Sequence, residues 1–224
     1  ASWSVTDTPP SWAPPSPTGF WIVDSLTARI NPNAACHALA AALQAKGVQI
    51  ARQPDDRGVV LWATGLHDLL RISALRGRAF GIGVKGQAAL FDFDQSTAPQ
   101  IFADTLHFVP HEDGTLAIGS TSEREYEDAD TVDSQLDDLI EQAQRVLPEL
   151  KSAPILKRWA GVRPRSRSRA PVLGAHPTEN GAFIANGGFK IGFGMAPKIA
   201  QIMADLILEG RDAIPTEFRP EASF

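Results

Sequence analysis

The stretch Asn-Gly-Gly-Phe-Lys-Ile-Gly-Phe-Gly-Met-Ala-Pro occupies residues 186–197 and runs into an apolar segment. Its glycines carry no side chain, so a planar, negatively charged ring can approach the backbone closely at four positions: Gly187, Gly188, Gly192 and Gly194. A helix that begins near Ala196 would present unpaired N–H groups and the positive end of its dipole to such a ring. On these residues alone, a turn that tightly ends a strand is an equal alternative.

Upstream, residues 159–164 read Trp-Ala-Gly-Val-Arg-Pro and hold the strongest candidate for a substrate contact. The guanidinium of Arg163 stays charged and can bind a carboxylate through two parallel hydrogen bonds. Arg165, Arg167 and Arg169 alternate with it, so all four would share one face of an extended chain. We interpret the last three as part of a solvated loop rather than as a stripe that binds anions or RNA.

The composition is that of a globular protein with a sizeable core, and it argues against several classes of function. The 224 residues carry a formal net charge of −5, which argues against a general nucleic-acid binder. The sequence has no apolar run long enough to span a bilayer and no signal peptide, so no membrane partner is predicted. The single cysteine, Cys36, excludes an intramolecular disulfide, suits a reducing cytoplasm and is predicted to be a buried apolar residue.

Hydrophobic spacing and turn residues predict the elements. Residues 1–19 hold five prolines and are predicted to form an extended arm. A helix is predicted from Ala34 to Lys46, with Asn33 as its N-cap and Gly47 as its stop. The other predicted elements are strands at 48–51, 59–65 (buried, in a parallel sheet), 87–93, 106–110 and 115–120, a polar turn at 54–58, an amphipathic helix over 136–147 and a last helix from about 196 to 210.

Two motifs have the residue spacing of a functional pattern but not the secondary structure that the pattern requires. Residues 81–86 read Gly-Ile-Gly-Val-Lys-Gly, the spacing of a dinucleotide-binding loop, but the segment after them reads as a strand instead of the required helix. We therefore do not predict a pyrophosphate site there. His107 and His111 are four residues apart, but Pro110 and the strand pattern break the helical face that a metal-binding pair would need. No metal site is predicted.

The order of short motifs along residues 19–224 resembles that of the FAD-dependent oxidoreductases related to D-amino-acid oxidase, glycine oxidase and sarcosine oxidase. The block at 159–197 is the specific part of the resemblance, and weaker motifs precede it in family order: Asn31-Pro32, Ala63-Thr64-Gly65, Val84-Lys85-Gly86-Gln87, Val109-Pro110 with Asp113-Gly114, and Ile118-Gly119-Ser120-Thr121. The resemblance implies a mixed α/β (α+β) fold, in which an incomplete FAD-binding domain of the glutathione-reductase type carries an inserted sheet-rich substrate domain. The implied division is a Pro-rich arm at 1–19, a discontinuous FAD-binding domain at 20–75 and 156–224, and a substrate domain at 76–155.

The same resemblance implies a flavin site and a substrate site. It assigns Arg163 to the carboxylate of a small-molecule amino acid or amine, and Lys190 to a second basic position near the substrate. To the flavin it assigns Thr64, Gly65, Gly187, Gly188, Phe189, Lys190, Ile191, Gly192, Phe193, Gly194 and Met195. The implied activity is oxidation of an amino acid or secondary amine by hydride transfer to N5 of FAD, with no catalytic acid or base assigned.

Two departures from the family pattern bear on this activity. The strand–helix–strand unit that holds the adenine and pyrophosphate half of FAD is not visible in the sequence, and the stretch between Ile50 and Val59 is short. We therefore expect this chain to be a C-terminal portion of such an enzyme, inactive by itself, that binds FAD weakly or not at all. The alternative is a non-catalytic remnant, or a subunit that needs a partner chain to complete the flavin site, in a homo-oligomer or with a complementing chain.

Overall fold

The computed structural model describes residues 1–53 and 58–224, so the predicted turn at 54–58 lies, except for Gly58, outside the described residues. Within these ranges the chain forms ten strands and four α-helices. The strands are β1 (Trp3–Thr6), β2 (Trp21–Asp24), β3 (Leu61–Trp62), β4 (Gly81–Asp92), β5 (Ile101–Ala103), β6 (Leu106–Pro110), β7 (Thr115–Gly119), β8 (Ile155–Ser166), β9 (Val172–Ala175) and β10 (Phe183–Asn186). The helices are α1 (Pro32–Ala45), α2 (Leu66–Arg76), α3 (Ser134–Val146) and α4 (Gly192–Glu209). The predicted mixed α/β class is confirmed.

The chain divides into two compact units. Unit 1 consists of Ala1–Arg52, Gly86–Ser122 and Asp130–Ala160. Unit 2 consists of Gln53–Lys85, Glu123–Ala129 and Gly161–Phe224. The long strands β4 and β8 therefore contribute residues to both units. The division into an arm, a FAD-binding domain and a substrate domain that the resemblance implies stays a prediction.

The core of unit 1 lies between a sheet and helix α3. Strands β5, β6, β7 and β4 lie side by side in that order and pair antiparallel, and β8 follows β4. The buried residues of α3 recur at helical spacing and pack in the same core as the strands: Leu136, Leu139, Ile140 and Ala143. The predicted helix over 136–147 and the three predicted strands of this region are confirmed, with β4 beginning at Gly81 instead of residue 87.

The N-terminal segment is attached to the rest of unit 1 by aromatic and polar contacts. Strands β1 and β2 pair antiparallel, and Trp12 packs against the core. The guanidinium of Arg29 donates to three backbone carbonyl groups, those of Ser96 at 2.5 Å, Ala98 at 2.9 Å and Pro110 at 3.3 Å. A cation bonded to three carbonyl oxygens holds this segment to the loops of the sheet.

Helix α1 corrects two predictions. Its N-cap is Asn31 rather than Asn33, because Pro32 occupies the first helical position and the Asn31 side chain accepts from the Ala34 N–H at 3.2 Å. Every residue of α1 is at least partly exposed, so the expectation that Cys36 is buried is wrong. Helical spacing predicts the helix correctly, but it does not determine whether another element covers the apolar face.

Unit 2 contains a three-stranded sheet in the order β3–β10–β9. Strand β10 pairs parallel with β3 and antiparallel with β9. The parallel strand predicted at 59–65 is therefore confirmed in type but reduced to Leu61–Trp62, and its predicted burial is wrong because Leu61 is 43% exposed. Residues 48–51, predicted as a strand, are irregular.

Helix α4 packs in one cluster with this sheet through the buried side chains of Leu173 and Met203. It begins at Gly192, four residues before the predicted start near Ala196, and contains Pro197. The predicted stop is confirmed, since Gly210 adopts the left-handed conformation at the C-terminal end.

Residues 81–86, which match the glycine spacing of a dinucleotide-binding loop, lie inside strand β4. An ideal Cβ at Gly81 would lie 2.8 Å from the Arg165 carbonyl oxygen and 2.8 Å from Leu69 Cδ1. An ideal Cβ at Gly83 would lie 2.4 Å from the Tyr126 hydroxyl. These two glycines permit close packing within unit 2, which gives them a structural role that needs no pyrophosphate.

A network of charged groups around the fully buried Asp68 joins α2 to the connection between β9 and β10. Asp68 is fully buried, and its Oδ1 accepts from Nε and Nη2 of Arg71 at 3.0 and 2.8 Å. Its Oδ2 lies 3.2 Å from Nε2 of the buried His176. Arg71 also pairs with Glu179 and lies 5.0 Å from the centroid of the Trp62 ring. This network, here called the Asp68 network, fixes the first turn of α2 inside unit 2.

Candidate functional site

Three segments of unit 2 meet around Pro164. At the start of α2, an ideal Cβ on Gly65 would lie 3.9 Å from Pro164 Cγ. The Phe189 N–H donates to the Pro164 carbonyl at 3.2 Å, and Arg165 forms an antiparallel bridge with Gly188. The structure therefore brings together the three segments that the resemblance assigned to the two sites.

Asn186, the last residue of β10, organises the glycine-rich turn. Its buried side chain donates from Nδ2 to the Gly65 carbonyl at 2.9 Å and accepts the Gly187 N–H at 2.7 Å. Gly187 has a φ of +73°, and an ideal Cβ there would lie 3.2 Å from Ser166 Cβ, so a side chain would be strained and crowded. Asn186 was not assigned a role from the sequence, although a polar residue that ends an apolar strand before two glycines is a usable signal.

Phe189 has a φ of +45°, an unusual backbone conformation for a residue with a side chain. The Arg165 guanidinium carbon and Lys190 Nζ each lie 5.7 Å from the centroid of its ring. Lys190 and Thr64 are both exposed. The roles of these two residues toward substrate and flavin stay predictions.

The N-terminal end of α4 borders an open cavity of about 420 Å³, whose lining includes Pro164, Phe189, Lys190, Gly192 and Gly194. An ideal Cβ at Gly192 or Gly194 meets no atom of the described residues within 4 Å, so these positions face open space. The first N–H groups of a helix have no partner within it, and in the described structure the Ile191 cap adds no side-chain hydrogen bond. Open glycine positions beside N–H donors and a positive dipole end fit the anionic edge of a flavin ring.

Arg163 lies on β8 and is half-buried. Its Nη1 donates to the Lys85 carbonyl oxygen at 3.4 Å. Burial lowers the pKa of Arg163, and the negative charge of Glu123 opposes that shift. The guanidinium remains charged at neutral pH because its ordinary pKa is so high. Arg163 can therefore bind a carboxylate in a partly desolvated setting, where such a contact is stronger than in water.

Lys85 and Glu123 form an ion pair near Arg163 that the sequence did not predict. The two residues are 2% and 7% exposed, and Lys85 Nζ lies 3.8 Å from Glu123 Oε2. Their backbones exchange two hydrogen bonds of 2.9 Å each, so the pair is held at a fixed register. The buried ion pair places a cation and an anion in the surroundings of the candidate carboxylate site.

The histidines singled out in the sequence have local partners in unit 1. The centroids of the His107 and Phe102 rings are 4.7 Å apart, with the rings tilted by 41°, and His111 Nδ1 lies 3.0 Å from Thr115 Oγ1. Across residues 1–53 and 58–224, no group of three or more His, Cys, Asp or Glu side chains is arranged to hold a metal ion. Within the same ranges, none of the helices has both the length and the apolar content needed to cross a membrane.

Comparison with known proteins places the chain in a family. Residues 9–206 match the family model described as FAD dependent oxidoreductase (DAO), so the chain belongs to this family. Glycine oxidase from Pseudomonas putida is 33% identical over 141 residues, which are 62% of this chain and 38% of that protein. The crystal structure of glycine oxidase from Geobacillus kaustophilus is similar with a TM-score of 0.62 and 26% identity, covering 72% of this chain and 44% of that one.

A second solved structure extends the likeness of fold alone. Iminodiacetate oxidase from Chelativorans sp. BNC1 has a TM-score of 0.64 at 21% identity. The family resemblance inferred from the sequence is thus confirmed, and the chain spans 38% of the length of the Pseudomonas putida glycine oxidase that it matches.

Proposed function

We propose that this chain supplies the substrate-carboxylate contact and the flavin-facing turn for FAD-dependent oxidation of an amino acid or secondary amine. The observation that carries the proposal is the meeting of the Arg163–Pro164 segment with Gly65 and Phe189. Of these residues, Pro164 and Phe189 line the open cavity at the start of α4. Membership of the FAD dependent oxidoreductase family and the glycine oxidases among the relatives support a small amino acid as substrate.

In this proposal Arg163 binds the substrate carboxylate through two hydrogen bonds and so fixes the position of the α-carbon. The glycine-rich turn keeps side chains out of the space beside the α4 N-terminus, where N–H groups would stabilise negative charge. A bound FAD would supply the acceptor for a hydride from that carbon at its N5 atom. Positioning and charge stabilisation are the contributions of this chain's own residues.

Replacing Arg163 by methionine is expected to weaken binding of glycine and acetate to the purified chain at least about tenfold, because a bidentate charged contact is lost. Binding is measured by titrating each ligand against backbone amide NMR shifts. Methionine keeps the length and the apolar stem of the side chain, so the packing of β8 is preserved as far as a substitution allows.

The matched control is Arg167→Met, which removes the same charge from an exposed neighbour of Arg163. Arg167→Met is expected to bind both ligands like the wild type. Equal affinities of Arg163→Met and the wild type would rule out Arg163 as the carboxylate residue and with it the proposed function.

The second candidate function is that of a subunit, which needs a partner chain to complete the flavin site. It is favoured by a second open cavity of about 590 Å³, lined almost entirely by apolar atoms, which extends from β3 along α4 and includes Leu61, Ala63, Met203 and Leu208. Leu208 is 79% exposed. A groove of this kind beside an edge strand suits a further chain segment.

The chain alone is expected to retain far less than one FAD per chain, because the residues at 81–86 that match a dinucleotide-binding loop lie inside strand β4 and cannot hold a pyrophosphate at a helix N-terminus. The measurement is the visible absorption spectrum after incubation with FAD and desalting. Retention near one flavin per chain would contradict this expectation and would argue against the need for a partner.

A further inference from the structure

Three charged side chains lie together in unit 2: Lys85, Glu123 and Arg163. Lys85 Nζ and Glu123 Oε2 are 3.8 Å apart, and Arg163 Nη1 donates to the backbone carbonyl of Lys85 at 3.4 Å. We call these residues the charge cluster. Two of its members are cations and one is an anion, so its side chains leave one net positive charge.

The burial of the charge cluster makes its net charge important. Lys85 and Glu123 are almost fully buried, and Arg163 is half-buried. Charges that are removed from water interact more strongly with each other and with a bound ligand than charges at the surface do. The field of Glu123 reaches Arg163, where it opposes the effect of burial on the pKa of the guanidinium.

We propose that Glu123 is a specificity-determining residue, which limits the charge cluster to one net positive charge and so weakens binding of ligands with two carboxylates at the Arg163 site more than binding of ligands with one. The inference rests on the proposed function, in which Arg163 binds the substrate carboxylate. The negative charge of Glu123 repels every carboxylate of a bound ligand, so a ligand with two carboxylates loses more binding free energy to it than a ligand with one.

The test compares acetate and malonate binding to the wild-type chain, Glu123→Gln and Lys85→Met, each measured by NMR titration. Glu123→Gln is expected to bind acetate about threefold and malonate about tenfold more tightly, because the change in binding free energy scales with ligand charge. Lys85→Met is expected to do the opposite, and its loss for malonate should again exceed its loss for acetate. The ratio of the two affinities thus shifts in opposite directions in the two variants.

Opposite signs separate this proposal from a merely structural role of the ion pair. Both substitutions break the same Lys85–Glu123 contact, so structural damage would weaken ligand binding in both variants. The double variant Lys85→Met/Glu123→Gln restores the wild-type net charge and is expected to restore the wild-type ratio of acetate to malonate affinity. It also keeps the proposal testable if Glu123→Gln alone does not fold.

The matched control is Glu125→Gln, which removes the same charge two residues away from an exposed side chain and is expected to leave both affinities unchanged. If Arg163→Met abolishes binding while Glu123→Gln binds malonate no more tightly than the wild type, the role of Glu123 is wrong and the proposed function stands. If the wild type binds neither probe, or if Arg163→Met binds both like the wild type, the carboxylate site itself is wrong and both proposals are overturned.

Discussion

Replacing Asp68 by asparagine is expected to lower the free energy of unfolding by about 3 kcal/mol, because it removes one charge from a buried, paired network. Asp68 is fully buried and has a different partner on each carboxylate oxygen, Arg71 on Oδ1 and His176 on Oδ2. An asparagine offers one acceptor oxygen and one NH₂ group in their place. Whichever way the amide is turned, its NH₂ group faces a side chain that donates.

The hydrogen bonds around His176 make the donor conflict specific. The Thr178 N–H donates to Nδ1 of His176 at 3.3 Å, so Nδ1 is the acceptor and the proton of a neutral ring lies on Nε2. Nε2 therefore donates to Asp68 Oδ2. Arg71 Nη2, which donates to Oδ1 of the same carboxylate, lies 3.3 Å from Nε2, so two donors share one carboxylate. In the asparagine variant one of these two donors, Arg71 or the buried His176, faces an NH₂ group instead of an acceptor.

The measurement is equilibrium unfolding in urea, and the matched control is Asp137→Asn. Asp137 pairs with Arg158 at 2.6 Å, but the two side chains are 57% and 39% exposed. An exposed pair contributes less than about 1 kcal/mol, so this control is expected to unfold near the wild-type midpoint. Equal loss of stability in the two variants would mean that burial gives the Asp68 network no special weight.

Much of unit 1 is predictable because its elements carry local signals. The alternating pattern at Leu106–Pro110 predicts β6 with its observed bounds, and the apolar positions of α3 predict its buried face. The spacing in α1 predicts that helix equally well but not its exposure, since burial depends on elements that lie far away in the sequence. Local pattern thus predicts where an element lies more reliably than what covers it.

The candidate site was predictable in part for the same reason. Its glycines and Arg163 lie in two short motifs that can be read directly, and both motifs meet around Pro164. The ion pair of Lys85 with Glu123 and the contact of Asp68 with His176 join residues that are distant in the chain. One sequence holds no local signal for such pairs, so only the folded structure reveals them.

Replacing Gly81 by alanine is expected to lower the free energy of unfolding by about 3 kcal/mol, near the upper end of the usual cost of overpacking. The new methyl group would lie 2.8 Å from the Arg165 carbonyl oxygen and 3.1 Å from Leu69 Cβ. Neither neighbour can give way easily, because one is backbone and the other belongs to a fully buried side chain. Relief would require movement of β4 against β8, and next to the ends of these strands the Arg167 N–H donates to the Phe80 carbonyl at 2.9 Å.

The matched control is Gly161→Ala, since Gly161 lies on β8 and an ideal Cβ there meets no atom of the described residues within 4 Å. This substitution adds the same methyl group to a strand of the same sheet and is expected to change the unfolding free energy by less than about 0.5 kcal/mol. Replacing a strand glycine by alanine tends to stabilise the fold where there is room for the methyl group. The difference between the urea midpoints of the two variants therefore measures the effect of crowding at Gly81. A urea midpoint of Gly81→Ala at or above the wild-type value would mean that β4 and β8 can move apart without cost. The close approach at Gly81 would then contribute nothing to the alignment of β4 with β8, the strand that carries Arg163.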